Sequence, residues 1–212
     1  MRSWALIPAR GGSKSIPGKN LISVAGTPLL DYSVRAAQAY GAFERIICST
    51  DDEQIAARAE NLGVEVVWRP EAFAGDDAKV DAVIQDLLEK EAPDALPDVG
   101  VLVQPTSPFL LPNHISGLLD VLSARPSART AHTVVPVSHN QHSWNQRKIV
   151  DGMAEFVFHD ERSQARNKQE KPNLYVFGNL IVARVDAILD GSGFYASPCA
   201  TMEINRPYEF DL

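Results

Sequence analysis

Cysteine is almost missing from this chain, with two in 212 residues, Cys48 and Cys199, far apart in sequence. Two isolated cysteines make no disulfide framework. Cys48 lies inside the apolar run Ile46-Ile47-Cys48, which reads as a small buried thiol rather than a metal ligand. Cations are outnumbered as well: 20 Lys and Arg stand against 27 Asp and Glu, a formal net charge of −7. Polyanion binders carry basic surfaces, so this balance argues against nonspecific nucleic-acid binding, and any anionic ligand must be met locally. Long apolar runs are lacking too. No stretch approaches a membrane span, and the N-terminus reaches Arg10 too soon for a secretory signal, so a reduced, cytoplasmic protein is expected. There is no internal repeat and no low-complexity tract. What remains, 45% hydrophobic residues in 212, suffices for one sizeable core and is most simply one domain over 1–212 with a small excursion.

The most informative stretch that is present runs from Leu6 to Asn20. A short apolar segment, Trp4-Ala5-Leu6-Ile7, delivers Ala9-Arg10-Gly11-Gly12-Ser13-Lys14-Ser15-Ile16-Pro17-Gly18-Lys19-Asn20 to the end of a first strand. Small residues let backbone N–H groups approach phosphate oxygens, while Arg10, Lys14 and Lys19 neutralise charge that backbone dipoles alone do not offset. The spacing matches neither the Walker loop nor the dinucleotide fingerprint. A glycine- and lysine-rich solvated turn has the same composition. Position separates the two readings, because in open α/β sheets ligands bind at the carboxyl ends of the strands.

Strands alternate with helices along the rest of the chain. Pro28 suits a helix start, and Leu29, Leu30, Val34 and Ala37 keep helical spacing through Tyr40. Residues 45–49 read as a buried strand. Asp51 or Asp52 then caps a helix that ends near Gly63. Further strands are expected at 64–68, 99–103 and 133–137, with helices over 79–90 and 112–122 and a linker at 93–97. Such alternation predicts a mostly parallel sheet covered on both faces. The rhythm breaks over 138–172, a polar segment with a hairpin expected at Asp151-Gly152, and regular structure resumes at Leu174.

The segment from Ala9 to Asn20 resembles the opening motif of the acylneuraminate cytidylyltransferases, which activate sugar acids as CMP esters. The likeness continues through Ser49-Thr50-Asp51-Asp52, Trp68-Arg69-Pro70, Asp76 and Gln104-Pro105-Thr106-Ser107-Pro108, in the family's order and at similar spacing. It is strong over the first half and weaker beyond. The resemblance implies a three-layer, Rossmann-like nucleotide-diphospho-sugar transferase fold, with 138–172 projecting to form a homodimer and to border the neighbour's sugar site. It also implies a reaction in which a sugar hydroxyl attacks the α-phosphate of CTP and pyrophosphate leaves, work done by positioning and charge stabilisation. Carried over residue by residue, Ala9, Arg10, Gly11, Ser13, Lys14 and Lys19 hold the triphosphate, with Arg10 and Lys19 assigned to catalysis. Asn20 and Arg69 hold the nucleoside or its phosphates, and Gln104 sits between ribose and acceptor.

Three departures from the family pattern fall on metal and acceptor positions. Where the family reads Asp-Ile-Asp-Thr-Pro and binds Mg2+, this chain has Glu203-Ile204-Asn205-Arg206-Pro207. Glu203 and Asn205 still alternate with Met202 and Ile204, so both can offer oxygen from one face of a strand, at the loss of one negative charge. The family's Arg-Arg-Gln and Asn-Gly segments appear only as Arg166-Asn167-Lys168-Gln169 and Phe177-Gly178-Asn179, leaving Tyr175 either facing the acceptor or in the core. The lysine that many sialic acid activators place on the sugar carboxylate aligns with Trp144, so the acceptor need not be sialic acid itself. His139 and His142 have the spacing of metal ligands, but zinc needs two further donors and the pair reads as solvated. No base accompanies the hydroxyls of Gln104-Pro105-Thr106-Ser107, which weighs against a serine nucleophile. The expected activity is CMP transfer from CTP to a nonulosonic acid. A different small acceptor, a nucleotide-binding homologue without turnover and, more distantly, a glycosyltransferase stand as alternatives.

Overall fold

The first strand, β1 (Ser3–Pro8), sets the geometry. Its side chains alternate, so Ala5 and Ile7 enter one apolar cluster while Trp4 and Leu6 enter another. A strand buried on both faces requires a covering layer on each side. The computed structural model, which describes residues 1–12, 16–73, 75, 78–164 and 170–211, supplies both layers. After the two-residue strands β2 (Ser23–Val24) and β3 (Thr27–Pro28) come α1 (Leu29–Tyr40), β4 (Arg45–Thr50), α2 (Glu53–Asn61), β5 (Glu65–Trp68), α3 (Val80–Glu89), β6 (Val99–Leu102), α4 (Pro112–Ser123) and β7 (Thr130–Pro136). The chain continues through β8 (Arg147–Val150), β9 (Met153–Phe156), α5 (His159–Gln164), β10 (Tyr175–Arg184), α6 (Val185–Leu189) and β11 (Cys199–Glu203).

Seven strands form the central sheet in the order β11-β7-β10-β6-β1-β4-β5. All run parallel except β10, which is antiparallel to both β6 and β7. The strand expected at 133–137 starts three residues earlier, because Thr130 pairs with Ala183 of β10 and Cys199 of β11. One face of the sheet packs against Leu30 and Val34 of α1, Ile55 of α2 and Ile115 and Leu118 of α4; the other packs against Ile84 and Leu88 of α3 and Ile188 of α6. Gly100 of β6 is required by this second layer, since a Cβ there would lie 2.9 Å from Leu6 Cδ1 and 3.1 Å from Ile188 Cδ1.

The excursion is a separate two-stranded sheet, β8 and β9, joined at Asp151-Gly152 with positive φ of 50° and 79°. Positive φ at both central residues is what a two-residue hairpin needs. His142 departs from the solvated reading. It is 5% exposed, its Nδ1 accepts from Trp144 N at 3.1 Å and its Nε2 donates to Pro172 O at 3.0 Å, so it pins the two ends of this excursion together.

Candidate active site at the carboxyl edge of the sheet

The loop after β1 is knitted to the end of β4. Ala9 is buried and its N–H donates to Ser49 O (2.9 Å), and Gly11 N donates to Asp51 Oδ1 (2.9 Å). Asp52 caps α2 by accepting from Gln54 N and Ile55 N, both at 2.9 Å. A Cβ on Gly11 would fall 2.5 Å from Asp52 Oδ2, so this close approach requires glycine. At its far end the loop turns through Gly18 (φ 62°) into a 3-10 turn, Lys19–Leu21. Buried Asn20 donates from Nδ2 to Arg10 O (2.8 Å), closing the loop on itself and fixing the backbone that carries the Arg10 side chain. Ser13 and Lys14 lie outside the described residues, as do Asp76 and 166–169.

Arg69, one residue past β5, is clamped by hydrogen bonds from Nε (3.2 Å) and Nη2 (3.0 Å) to Ser49 O. Burial pushes its pKa below the ordinary value; the Asp51 carboxylate opposes that shift, and the like charge of Arg10 adds to it. Arginine stays protonated even so. The Arg69 guanidinium thus stands within reach of both the Asp51 carboxylate and the Arg10 cation. The Cys48 thiol beneath is pushed by burial up to about 12, so it is inert.

Gln104 follows β6. Its backbone carbonyl accepts from Ser33 Oγ of α1 (2.8 Å), which fixes the residue, while its half-buried side-chain amide bonds to none of the described residues. Ser107 is 1% exposed and its Oγ has no partner, so no base activates it.

Because β10 runs against the others, its first residue, Tyr175, comes to the same edge, opposite Pro136 of β7. Tyr175 is 48% exposed and lines a cleft of about 530 Å³ together with Val137, Leu174, Gln146, Arg206 and Glu209. Trp144 is not part of that wall; its ring packs edge-on against His142 at 5.4 Å. Glu203 and Asn205 are both exposed while Ile204 between them is buried, in line with one shared face. Both line a second cleft of about 310 Å³ beside the first turn of α4. His114 in that wall is held by Asn179 Nδ2 at 3.0 Å and Leu111 N at 3.4 Å, both directed at its Nδ1, and burial lowers its pKa. Among the described residues no group of three or more His, Cys, Asp or Glu is placed to hold a metal.

Sequence reasoning did not single out Arg206, Glu209 or the His114–Asn179–Thr133 network, in which Thr133 Oγ1 accepts from Asn179 N and Leu180 N at 2.9 Å each. A signal existed for Arg206, a cation where the resembled pattern has threonine. The network had none, because its members meet only through the pairing of β7 with β10 and the packing of α4.

Every candidate side chain described stands at the strand-end edge of the sheet or on the excursion beside it. The phosphate-type loop sits at β1, Arg69 after β5 is clamped to the end of β4, Gln104 sits at β6, and the two clefts lie at β7, β10 and β11. Three strands separate β1 from β11, so loop and Glu203–Asn205 pair lie about 19 Å apart at the usual strand spacing. A nucleoside triphosphate placed next to a sugar spans that distance, and the arrangement defines a nucleotide-dependent α/β enzyme. Residues 4–191 match the cytidylyltransferase family, to which the chain belongs; it is a nucleotidyltransferase. The chain is 33% identical to the CMP-N,N'-diacetyllegionaminic acid synthase of Legionella pneumophila, over 97% of this chain and 88% of that protein. It is 30% identical to the N-acylneuraminate cytidylyltransferase of Escherichia coli over 98% of this chain and 48% of that protein. Among solved structures, a CMP:2-keto-3-deoxy-manno-octonic acid synthetase complexed with CTP shares the fold, with a TM-score of 0.72 at 17% identity, covering 96% of this chain and 90% of that one.

Proposed function

We propose that this cytidylyltransferase transfers CMP from CTP to a nonulosonic acid, a nine-carbon sugar acid, with release of pyrophosphate. The observation that carries this reading is the convergence on one sheet edge of a cation-bearing glycine loop and, two to four strands away, two sugar-sized clefts. The relatives' names supply the acceptor class. A sugar hydroxyl oxygen forms the new bond to the α-phosphorus, the bond from that phosphorus to the bridging oxygen of pyrophosphate breaks, and the hydroxyl proton passes to water. Arg10, Lys19 and Arg69, with Ser13 and Lys14, hold the triphosphate and meet the charge that develops on it. Gln104 offers its unengaged amide between ribose and acceptor, and Tyr175 supplies an aromatic wall against the sugar.

The donor set at Glu203 and Asn205, two oxygen-bearing side chains on one exposed face, fits a hard divalent ion. These two residues would hold Mg2+, which would supply charge neutralisation at the acceptor end of the site. The β8–β9 hairpin exposes Ile149 (69%) and Met153 (71%), the kind of apolar surface an interface covers, and we assign it to a homodimer. No helix among the described residues is long and apolar enough to cross a membrane, and we assign the enzyme to the cytoplasm.

Pyrophosphate release from each of the four ribonucleoside triphosphates, with Mg2+ and a panel of sialic, legionaminic, pseudaminic and 3-deoxyoctulosonic acids, tests the assignment. Release is expected with CTP and a nine-carbon acid. Preference for another nucleotide, or for the eight-carbon acid alone, overturns it.

A further inference from the structure

The cleft beside Tyr175 contains a cation that nucleotide binding does not use. Arg206 opens the 3-10 turn Arg206–Glu209, directly after the Glu203–Asn205 pair. Its Nη2 donates to Pro136 O at 3.1 Å and to Gln141 Oε1 at 3.0 Å, and its Nη1 lies 3.5 Å from Glu209 Oε1. A guanidinium has five N–H donors. These three contacts leave the Nε hydrogen and one Nη1 hydrogen unengaged, on a side chain that is 41% exposed and lines the cleft. The Glu209 contact is longer than the 2.7–2.9 Å of a tight charge-assisted bond, so it orients the guanidinium without saturating it.

The wall around Arg206 combines apolar surface from Val137, Leu174 and Val176 with the Tyr175 ring and the Gln146 amide. Among the described residues lining the cleft, Arg206 carries the positive charge and Glu209 the negative one. Such a surface suits a molecule that is partly apolar, bears hydroxyls and carries one carboxylate. Trp144 offers no charge and packs on His142.

We propose that Arg206 binds the carboxylate of the acceptor and thereby selects sugar acids over neutral sugars; this rests on the acceptor reading above. The Nε hydrogen takes one oxygen of the carboxylate while Nη2 keeps its bonds to Pro136 and Gln141, so binding requires no rearrangement of the turn. A neutral sugar leaves the guanidinium facing an uncharged group and loses the charge-assisted bonds.

The test starts with the acid that supports pyrophosphate release from CTP. Arg206→Met is expected to raise KM for that acid at least tenfold and leave KM for CTP within about twofold, with a modest fall in the thermal midpoint as the contacts to Pro136, Gln141 and Glu209 are lost, and Arg206→Lys in between. The amide of the same acid, lacking the charge, is expected to be a poor substrate for the unsubstituted protein and no poorer for Arg206→Met. Should Arg206→Met fail to fold, the Lys variant and the acid-against-amide comparison on the unsubstituted protein decide. An unchanged KM for the acid, an equal loss for acid and amide, or an amide as good as the acid overturns the assignment to Arg206 alone. Absence of turnover with every acid overturns the acceptor reading, and this inference with it.

Discussion

Arg10 carries the largest expectation of any single residue. Its side chain reaches the site from a backbone pinned by Asn20 and contributes nothing to either apolar cluster. Arg10→Ala is therefore expected to lower kcat/KM for CTP about 100-fold or more while leaving the circular dichroism spectrum and thermal midpoint unchanged. At the other cleft, Asn205→Asp restores a second carboxylate beside Glu203, and half-maximal activity is expected at a lower Mg2+ concentration; an unaltered metal titration would place Asn205 outside the metal's ligands. The glycine loop proposed to hold the nucleotide was visible in the sequence because its glycines and cations are contiguous there. Arg206 and Glu209 were not, since they gain meaning only when the turn after β11 brings them against Tyr175 from β10. Asn20 illustrates an intermediate case: its membership of the loop was readable, but its bond to the Arg10 carbonyl shows that its side chain shapes the backbone.

Among the elements, α2 shows how a local signal places a side chain against the glycine loop. Asp52 accepts from two backbone N–H groups at the start of the helix and also lies against Gly11, so the cap and the phosphate-type loop share one side chain. Asp52→Ala is expected to cost about 1 kcal/mol of stability, read from urea unfolding, and to raise KM for CTP as the loop loses its backing. Helices α1 and α3 were readable from apolar spacing and α2 from its aspartate cap and Gly63, and the ends of α1 to α4 agree with the expected ones to within one or two residues. The antiparallel course of β10 was not readable. A strand buried on both faces shows the same continuous apolar pattern whichever way it runs, and only its neighbours in the sheet decide the direction. That reversal matters for function, because it brings Tyr175 rather than Arg184 to the ligand edge.

For the molecule as a whole, the sheet order converts a linear string of motifs into one surface, and buried His114 and half-buried His132 tie its stability to pH. Burial lowers the pKa of His114, and also that of His132, where a hydrogen bond to Phe194 O opposes the shift. Folded values below the unfolded value of about 6.5 mean that the unfolded chain takes up protons first. The stability gained from the neutral imidazoles is thus complete above that value and is lost as pH falls through the lower folded values. The urea midpoint is expected to drop between about pH 7 and pH 5, and less steeply in His132→Gln, whose side chain does not titrate. The central claim is tested most directly by mass spectrometry of the product formed from CTP and a nonulosonic acid carrying a heavy-oxygen label in its reacting hydroxyl. Attack by that hydroxyl on the α-phosphorus predicts a CMP ester that retains the label, together with an equal amount of unlabelled pyrophosphate. Label appearing in pyrophosphate, or CMP released without an ester, would contradict the account.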